Sequence, residues 1–307
     1  MLPKPVPVKT VVTEKSLFPQ YLFTLFRIGY KEAAVHPLCI KQGSGLLLCD
    51  TGMMRRLAIR PGAIGDFIVS LPALECLRAG YLEVWTASAN IPLVRFADRV
   101  RPIASTGLDL LGVTEPYPSL IRDLAGFDRI VSWYGTGRPE FRAAMGEVGV
   151  PCTFLPALPP EGAGRHASDF YLDQVRTLAD CSSDGIPRIP CVVERADFAA
   201  IHPFSGSPRK NWPLEKYRAL ARRLEKLLPV RWCAGPDDPP LEGAVRIDDL
   251  YELGCWLASA RLYIGNDSGI THLAAAVGTP VLALFGPSDP ECWAPRGPNV
   301  RVARWRC

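Results

Sequence analysis

Lysine nearly disappears from most of this chain: residues 1–53 hold five lysines and one arginine, whereas residues 54–307 hold three lysines and 26 arginines. From Arg55 onward the text also becomes periodic, while the stretch before it sustains no period. The folded protein is therefore expected to begin at Met54 or Met53, with residues 1–53 an N-terminal extension outside it. The alternative is an arm for a membrane surface or a partner, using Leu17, Phe18, Tyr21, Leu22, Leu25 and Phe26 as an apolar face. Long apolar runs are missing too: none reaches the roughly 18 residues of a spanning helix, and Leu17–Tyr30 is interrupted by Pro19, Gln20, Thr24 and Arg27. Neither a transmembrane helix nor a signal peptide is expected. The ten cysteines (39, 49, 76, 152, 181, 191, 233, 255, 292 and 307) include no CxxC pair. Their irregular spacing argues against a zinc or disulfide framework and for reduced, mostly buried thiols of a cytoplasmic protein. An excess of one sign of charge is equally absent, since 35 Lys and Arg against 31 Asp and Glu leave +4, too little for a dedicated nucleic-acid binder.

What is present after residue 54 is an alternation of short apolar runs with helical patterns, the signature of parallel βαβ units and an α/β fold. Strands are expected at Leu57–Arg60, Leu82–Thr86, Arg101–Ala104, Arg129–Trp133, Phe198–His202, Arg231–Ala234, Leu262–Gly265 and Val281–Phe285. Helices fall near 66–78, 138–148, 168–179, 214–228, 250–258 and 268–277. The Pro- and Gly-rich stretch 156–164 and the connection 182–190 suggest three parts: a domain at 54–165, a helix and linker at 166–195, and a domain at 196–307. Ligands of open parallel sheets bind beyond the carboxyl ends of the strands, so two such domains place function in the loops facing a common cleft.

Three of those loops carry chemistry. In RPGAIGDFIVSLPAL, Gly62, Ala63, Ile64 and Gly65 form a turn that lets a ligand approach, and Asp66 stands at the start of a helix. It serves either as a helix cap or as a proton acceptor for a hydroxyl. The loop lacks the lysine and hydroxyl residue of a P-loop and does not read GxGxxG. In IHPFSGSPRKNWP, Ser205 and Ser207 offer hydrogen bonds, Gly206 opens backbone amides and Lys210 supplies a cation, a set that suits phosphate; the plain alternative is a turn with a solvated lysine. In YIGNDSGITHLAAAVGTP, a helix starts directly after a strand, so Ser268 and Gly269 leave amides free for a diphosphate. Asp267 either caps that helix or accepts sugar hydroxyls, and His272 either touches the ligand or is structural.

Together these strings, with VLALFGPSDPECWAP after them and in the same order, resemble the family 9 glycosyltransferases, the ADP-heptose:lipopolysaccharide heptosyltransferases, over nearly all of residues 55–307. The resemblance implies a GT-B architecture of two facing Rossmann-like domains with parallel sheets, acceptor in the first and sugar nucleotide in the second. It also implies inverting transfer of heptose from ADP-heptose to a lipid-linked or oligosaccharide acceptor of the cell envelope, without metal or cofactor. Carried over, Asp66 is the general base, Lys210 meets the diphosphate, Asp267 binds the sugar nucleotide, and Ser268 and Gly269 give amides to phosphate. Asp237, in the Gly235-Pro236-Asp237 turn, falls where the family contacts the nucleoside. Peripheral contact with the inner membrane is an expectation, with Arg301, Arg304, Trp305 and Arg306 as headgroup contacts. One departure is Val69, where heptosyltransferases commonly carry a histidine. The rival expectations are a nonhydrolysing nucleotide-sugar epimerase, for which His166, His202 and His272 are the available histidines after Asp66, and a catalytically silent binding module.

Overall fold

A computed structural model describes residues 53–305 apart from 79 and 163. The N-terminal extension with its proposed apolar face, Cys39, Cys49, Arg306 and Cys307 lie outside the described residues.

The first five strands are β1 (Arg55–Ile59), β2 (Tyr81–Thr86), β3 (Arg99–Pro102), β4 (Arg129–Ser132) and β5 (Cys152–Phe154). They form a parallel sheet of order β3-β2-β1-β4-β5. The next five are β6 (Ala199–His202), β7 (Val230–Trp232), β8 (Leu262–Asn266), β9 (Val281–Phe285) and β10 (Val300–Arg304), parallel in the order β10-β9-β8-β6-β7. The central strands are apolar at nearly every position because helices cover both faces, as parallel sheets require. The helices are α1 (Ile64–Cys76), α2 (Pro118–Ala125), α3 (Pro139–Glu147), α4 (Ala167–Val175), α5 (Leu214–Leu224), α6 (Leu250–Ser259), α7 (Gly269–Ala276) and α8 (Pro290–Trp293). The expected two-sheet α/β architecture is observed. Strand order reverses between β1 and β4 in one sheet and between β6 and β8 in the other, so the crevices open where the three motif loops leave their strands.

One hydrophobic core runs through both halves, joining Phe67 and Leu74 of α1, Tyr171 and Val175 of α4 and Leu273 and Ala274 of α7. The amino end of α4 is tied to the second half. His166 caps it, accepting from Ser168 N at 3.1 Å through Nδ1 while Nε2 donates to Ala294 O at 2.8 Å, and Asp169 takes a bidentate pair from Arg296.

Four elements differ from expectation. β5 has only three residues, too few to register as a pattern, and β10 lies in the arginine-bearing tail, where Arg301 and Arg304 are strand residues paired beside β9. α2 and α8, each with a proline at its start, are likewise not among the expected helices. The cysteine expectation is corrected for two residues: Cys76, ending α1, and Cys181, just after α4, form a disulfide with Cα atoms 5.1 Å apart. Their separation of 105 positions in sequence hides a proximity that the packing of α4 on α1 creates. The other described cysteines are free, and only Cys233 is fully buried.

Candidate functional site

The turn after β1 is held by side chains reaching its carbonyls. Thr86 Oγ1 donates to Arg60 O at 2.8 Å, Asn90 Nδ2 to Gly62 O at 3.0 Å, and Arg60 bonds Pro61 O at 2.9 Å and Asp66 O at 3.2 Å. Gly62 takes φ +153°, a conformation open to glycine. Asp66 is not the cap of α1: Ala63 occupies that position without a side-chain hydrogen bond, and Asp66 sits in the first turn. Its carboxyl faces the cleft instead. Burial raises its pKa above the usual carboxylate range, and Asp267 adds to this, while Arg60 and Lys210 oppose it. A carboxylate made more basic than usual yet kept ionisable by neighbouring cations suits proton abstraction near neutral pH.

The second and third loops are joined by Asn266, which is fully buried at the end of β8. Its Oδ1 accepts from Trp212 N and Tyr217 OH, both at 2.9 Å, and its Nδ2 donates to Pro203 O at 2.8 Å. This joint sets Lys210 against Asp267: Nζ stands 2.8 Å from Oδ2, and only 7% of the Asp267 side chain is exposed. That oxygen is buried, with the Lys210 ammonium against it. Ser268, not Asp267, caps α7, its Oγ accepting from Thr271 N.

The two halves meet glycine to glycine. A β-carbon on Gly65 would lie 3.3 Å from the His272 ring and 3.5 Å from Gly269 Cα, and one on Gly269 would lie 2.7 Å from Ile64 Cβ. Nothing larger fits at Gly269, so the starts of α1 and α7 touch and bring Asp66 beside Asp267 and Ser268. His272, buried in the first turns of α7, is held neutral, its pKa pushed down to about 4 chiefly by burial.

A cavity of about 680 Å³ opens over this contact. Its walls include Ala63, Gly65 and Asp66 from the first loop, Gly206, Ser207 and Lys210 from the second, and Asp267, Ser268, Gly269 and His272 from the third. The structure thus brings together most of the residues singled out in the sequence. Ser205 is spent inside its loop, 2.7 Å from Asn211 Oδ1 and 2.8 Å from Ser207 O. Asp237 is exposed and does not line the cavity; its neighbour Asp238 is the ordered carboxylate of that turn, accepting from His202 Nε2 at 2.8 Å and from Gly235 N at 2.6 Å. Val69 is buried in the core and cannot stand in for a site histidine. Sequence reasoning missed Arg60, Tyr171, Asn266 and the loop 158–164. That Pro- and Gly-rich loop was read as a domain boundary, and most of it lines the cavity.

The family model for glycosyltransferase family 9 (heptosyltransferase) matches residues 165–306. The stretch that matches is a little under half of the chain. Curated relatives agree: lipopolysaccharide heptosyltransferase 3 of Escherichia coli (strain K12) is 29% identical over 150 residues, 43% of this chain and 44% of that protein. Lipopolysaccharide heptosyltransferase 2 of the same strain is 30% identical over 122 residues, 32% of this chain and 33% of that protein. The matched stretch therefore spans less than half of either relative. The fold likeness reaches further. A family 9 glycosyl transferase from Veillonella parvula DSM 2008 aligns with TM-score 0.63 and 18% identity over 82% of this chain and 86% of that one. E. coli heptosyltransferase WaaC, solved with ADP, aligns with TM-score 0.61 and 18% identity over 82% and 93%. The stretch matched by the family model carries Lys210, Asp267, Ser268, Gly269 and His272, whereas Asp66 lies before it.

Proposed function

We propose that this chain is an inverting, metal-independent glycosyltransferase that moves heptose from ADP-heptose to a lipopolysaccharide-core or other cell-envelope glycan. The observation that carries this reading is the placement of a half-buried carboxylate of raised pKa, Asp66, in one cavity with the Lys210–Asp267 pair and the amino end of α7. Asp66 takes the proton of the acceptor hydroxyl as its oxygen attacks the anomeric carbon, and the bond from that carbon to the diphosphate oxygen breaks on the opposite face. The charge appearing on the departing diphosphate meets Lys210 and the free amides at Ser268 and Gly269, which makes a cation unnecessary. Asp267 receives sugar hydroxyls. No helix among the described residues is long and apolar enough to cross a membrane, and the proposed site of action is the cytoplasmic face of the inner membrane, as a peripheral protein.

The test is thermal stabilisation by ADP, UDP, GDP, CDP and TDP without added metal, followed by Asp66→Asn. ADP at about a hundredfold over its dissociation constant is expected to add roughly 2.7 kcal/mol. Asp66→Asn should keep that response and lose transfer by about 10²–10⁴-fold. Preference for another nucleotide discards the heptose; no response from a folded sample discards the transferase.

A further inference from the structure

Arg60 ends a central strand with only 2% of its surface exposed. A guanidinium is expensive to bury unless its donors are paired, and the pairing here is informative. Its Nη1 and Nη2 hold the carbonyls of Pro61 and Asp66, the two ends of the turn that presents the Asp66 carboxyl, and its Nε reaches Ser70 Oγ at 3.3 Å. Nη2 also donates to Tyr171 OH at 2.9 Å, with the guanidinium 4.8 Å from the Tyr171 ring centre. Tyr171 OH in turn donates to Ala157 O at 2.8 Å. Ala157 is the stem of the loop whose next residues, Leu158 to Gly162, wall the cavity. An unbroken hydrogen-bond chain thus runs from the Asp66 turn, through α4, to the opposite wall.

We propose that Arg60 is a positioning residue for the transfer, tying through Tyr171 the placement of the Asp66 carboxyl to the seating of the 158–164 loop over the cavity. The inference rests on Asp66 being the base. The ionisable groups acting on Asp66 are Arg60 at the end of β1, Lys210 from the second loop and Asp267 from the third. Arg60 and Lys210 favour the ionised carboxylate and Asp267 opposes it. Arg60 therefore fixes where the base sits and favours its ionised form, while Lys210 is placed against Asp267.

Three variants of the full chain test this: Tyr171→Phe, Arg60→Met and Arg60→Lys. Release of ADP from ADP-heptose gives kcat and KM, and the Asp66 carboxyl carbon is titrated by NMR, assigned by its loss in Asp66→Asn. Tyr171→Phe keeps the ring and the fold and breaks the chain, so kcat should fall about tenfold with the donor KM unchanged. Arg60→Met should move the Asp66 midpoint upward, and Arg60→Lys should return it. An unmoved midpoint in folded Arg60→Met, or a Tyr171→Phe protein with parental kcat, overturns the proposal. If Arg60→Met does not fold, Tyr171→Phe decides. A parent that releases no ADP counts against the functional reading, and the titration still decides the role of Arg60.

Discussion

A β-carbon added to Gly269 falls 2.7 Å from the β-carbon of Ile64, closer than two such atoms approach in a folded protein. Ile64 opens α1 and Gly269 opens α7, so this absent atom lets the two halves of the molecule close. Gly269→Ala is expected to force the helix starts apart at a cost of about 1–3 kcal/mol, the range for overpacking a tight contact. Chemical denaturation measures that cost. Transfer should suffer more than ADP binding, because Lys210 and Asp267 stay together in one half while Asp66 moves away.

Removing Lys210 attacks chiefly the donor side. Lys210→Met should weaken ADP binding by about 1.5–3 kcal/mol, as for loss of a charge-assisted contact, and leave the Asp66 turn untouched. Calorimetric titration with ADP checks this. An unchanged affinity means that the diphosphate lies elsewhere.

His272 gives the folded protein an acid limit. Its pKa is near 6.5 in the unfolded chain and is pushed down to about 4 in the folded one, so between these values the unfolded chain binds more protons. Stability from burying the neutral ring is complete above pH 6.5 and declines as pH falls toward 4. His166, whose pKa burial also lowers, acts in the same direction. His272→Gln should make the fall in melting temperature over this interval shallower without abolishing it; an identical slope contradicts the assignment.

The Cys76–Cys181 bridge closes a long loop. Cys181→Ser should lower stability by about 2–4 kcal/mol under non-reducing conditions and abolish the parent's sensitivity to dithiothreitol. Peptide mapping without reductant identifies the bridge directly.

The sequence announced what depends on local pattern. Apolar runs such as Val281–Phe285 and the glycine turns beside Asp66 and Ser268 are local, and the strand ends and loops built from them appear within a few residues of expectation. What it concealed depends on contacts across the chain. Arg60 reads as one of many arginines until Tyr171, 111 residues away, is seen to hold it. Asn266 sits in plain view in NDSG, yet its role comes from Trp212 and Tyr217 on a different loop and helix. Asp66 and Asp267 look like caps because aspartate beside a helix start usually is one; Ala63 and Ser268 take those places and free both carboxyls for the cavity. Asp237 and Asp238 are adjacent and chemically identical, and only the three-dimensional position of His202 separates the ordered one from the exposed one.

The bridge between residues 76 and 181 also makes a covalent ring of everything between them, including β2 to β5, α4 and the loop over the cavity. A single cut anywhere in that ring leaves the molecule in one piece: a protease that nicks the exposed Glu161 region yields two polypeptides that still travel together until a reductant separates them. The loop that must stay open to substrate is therefore the stretch whose scission the covalent framework can absorb without shedding a domain.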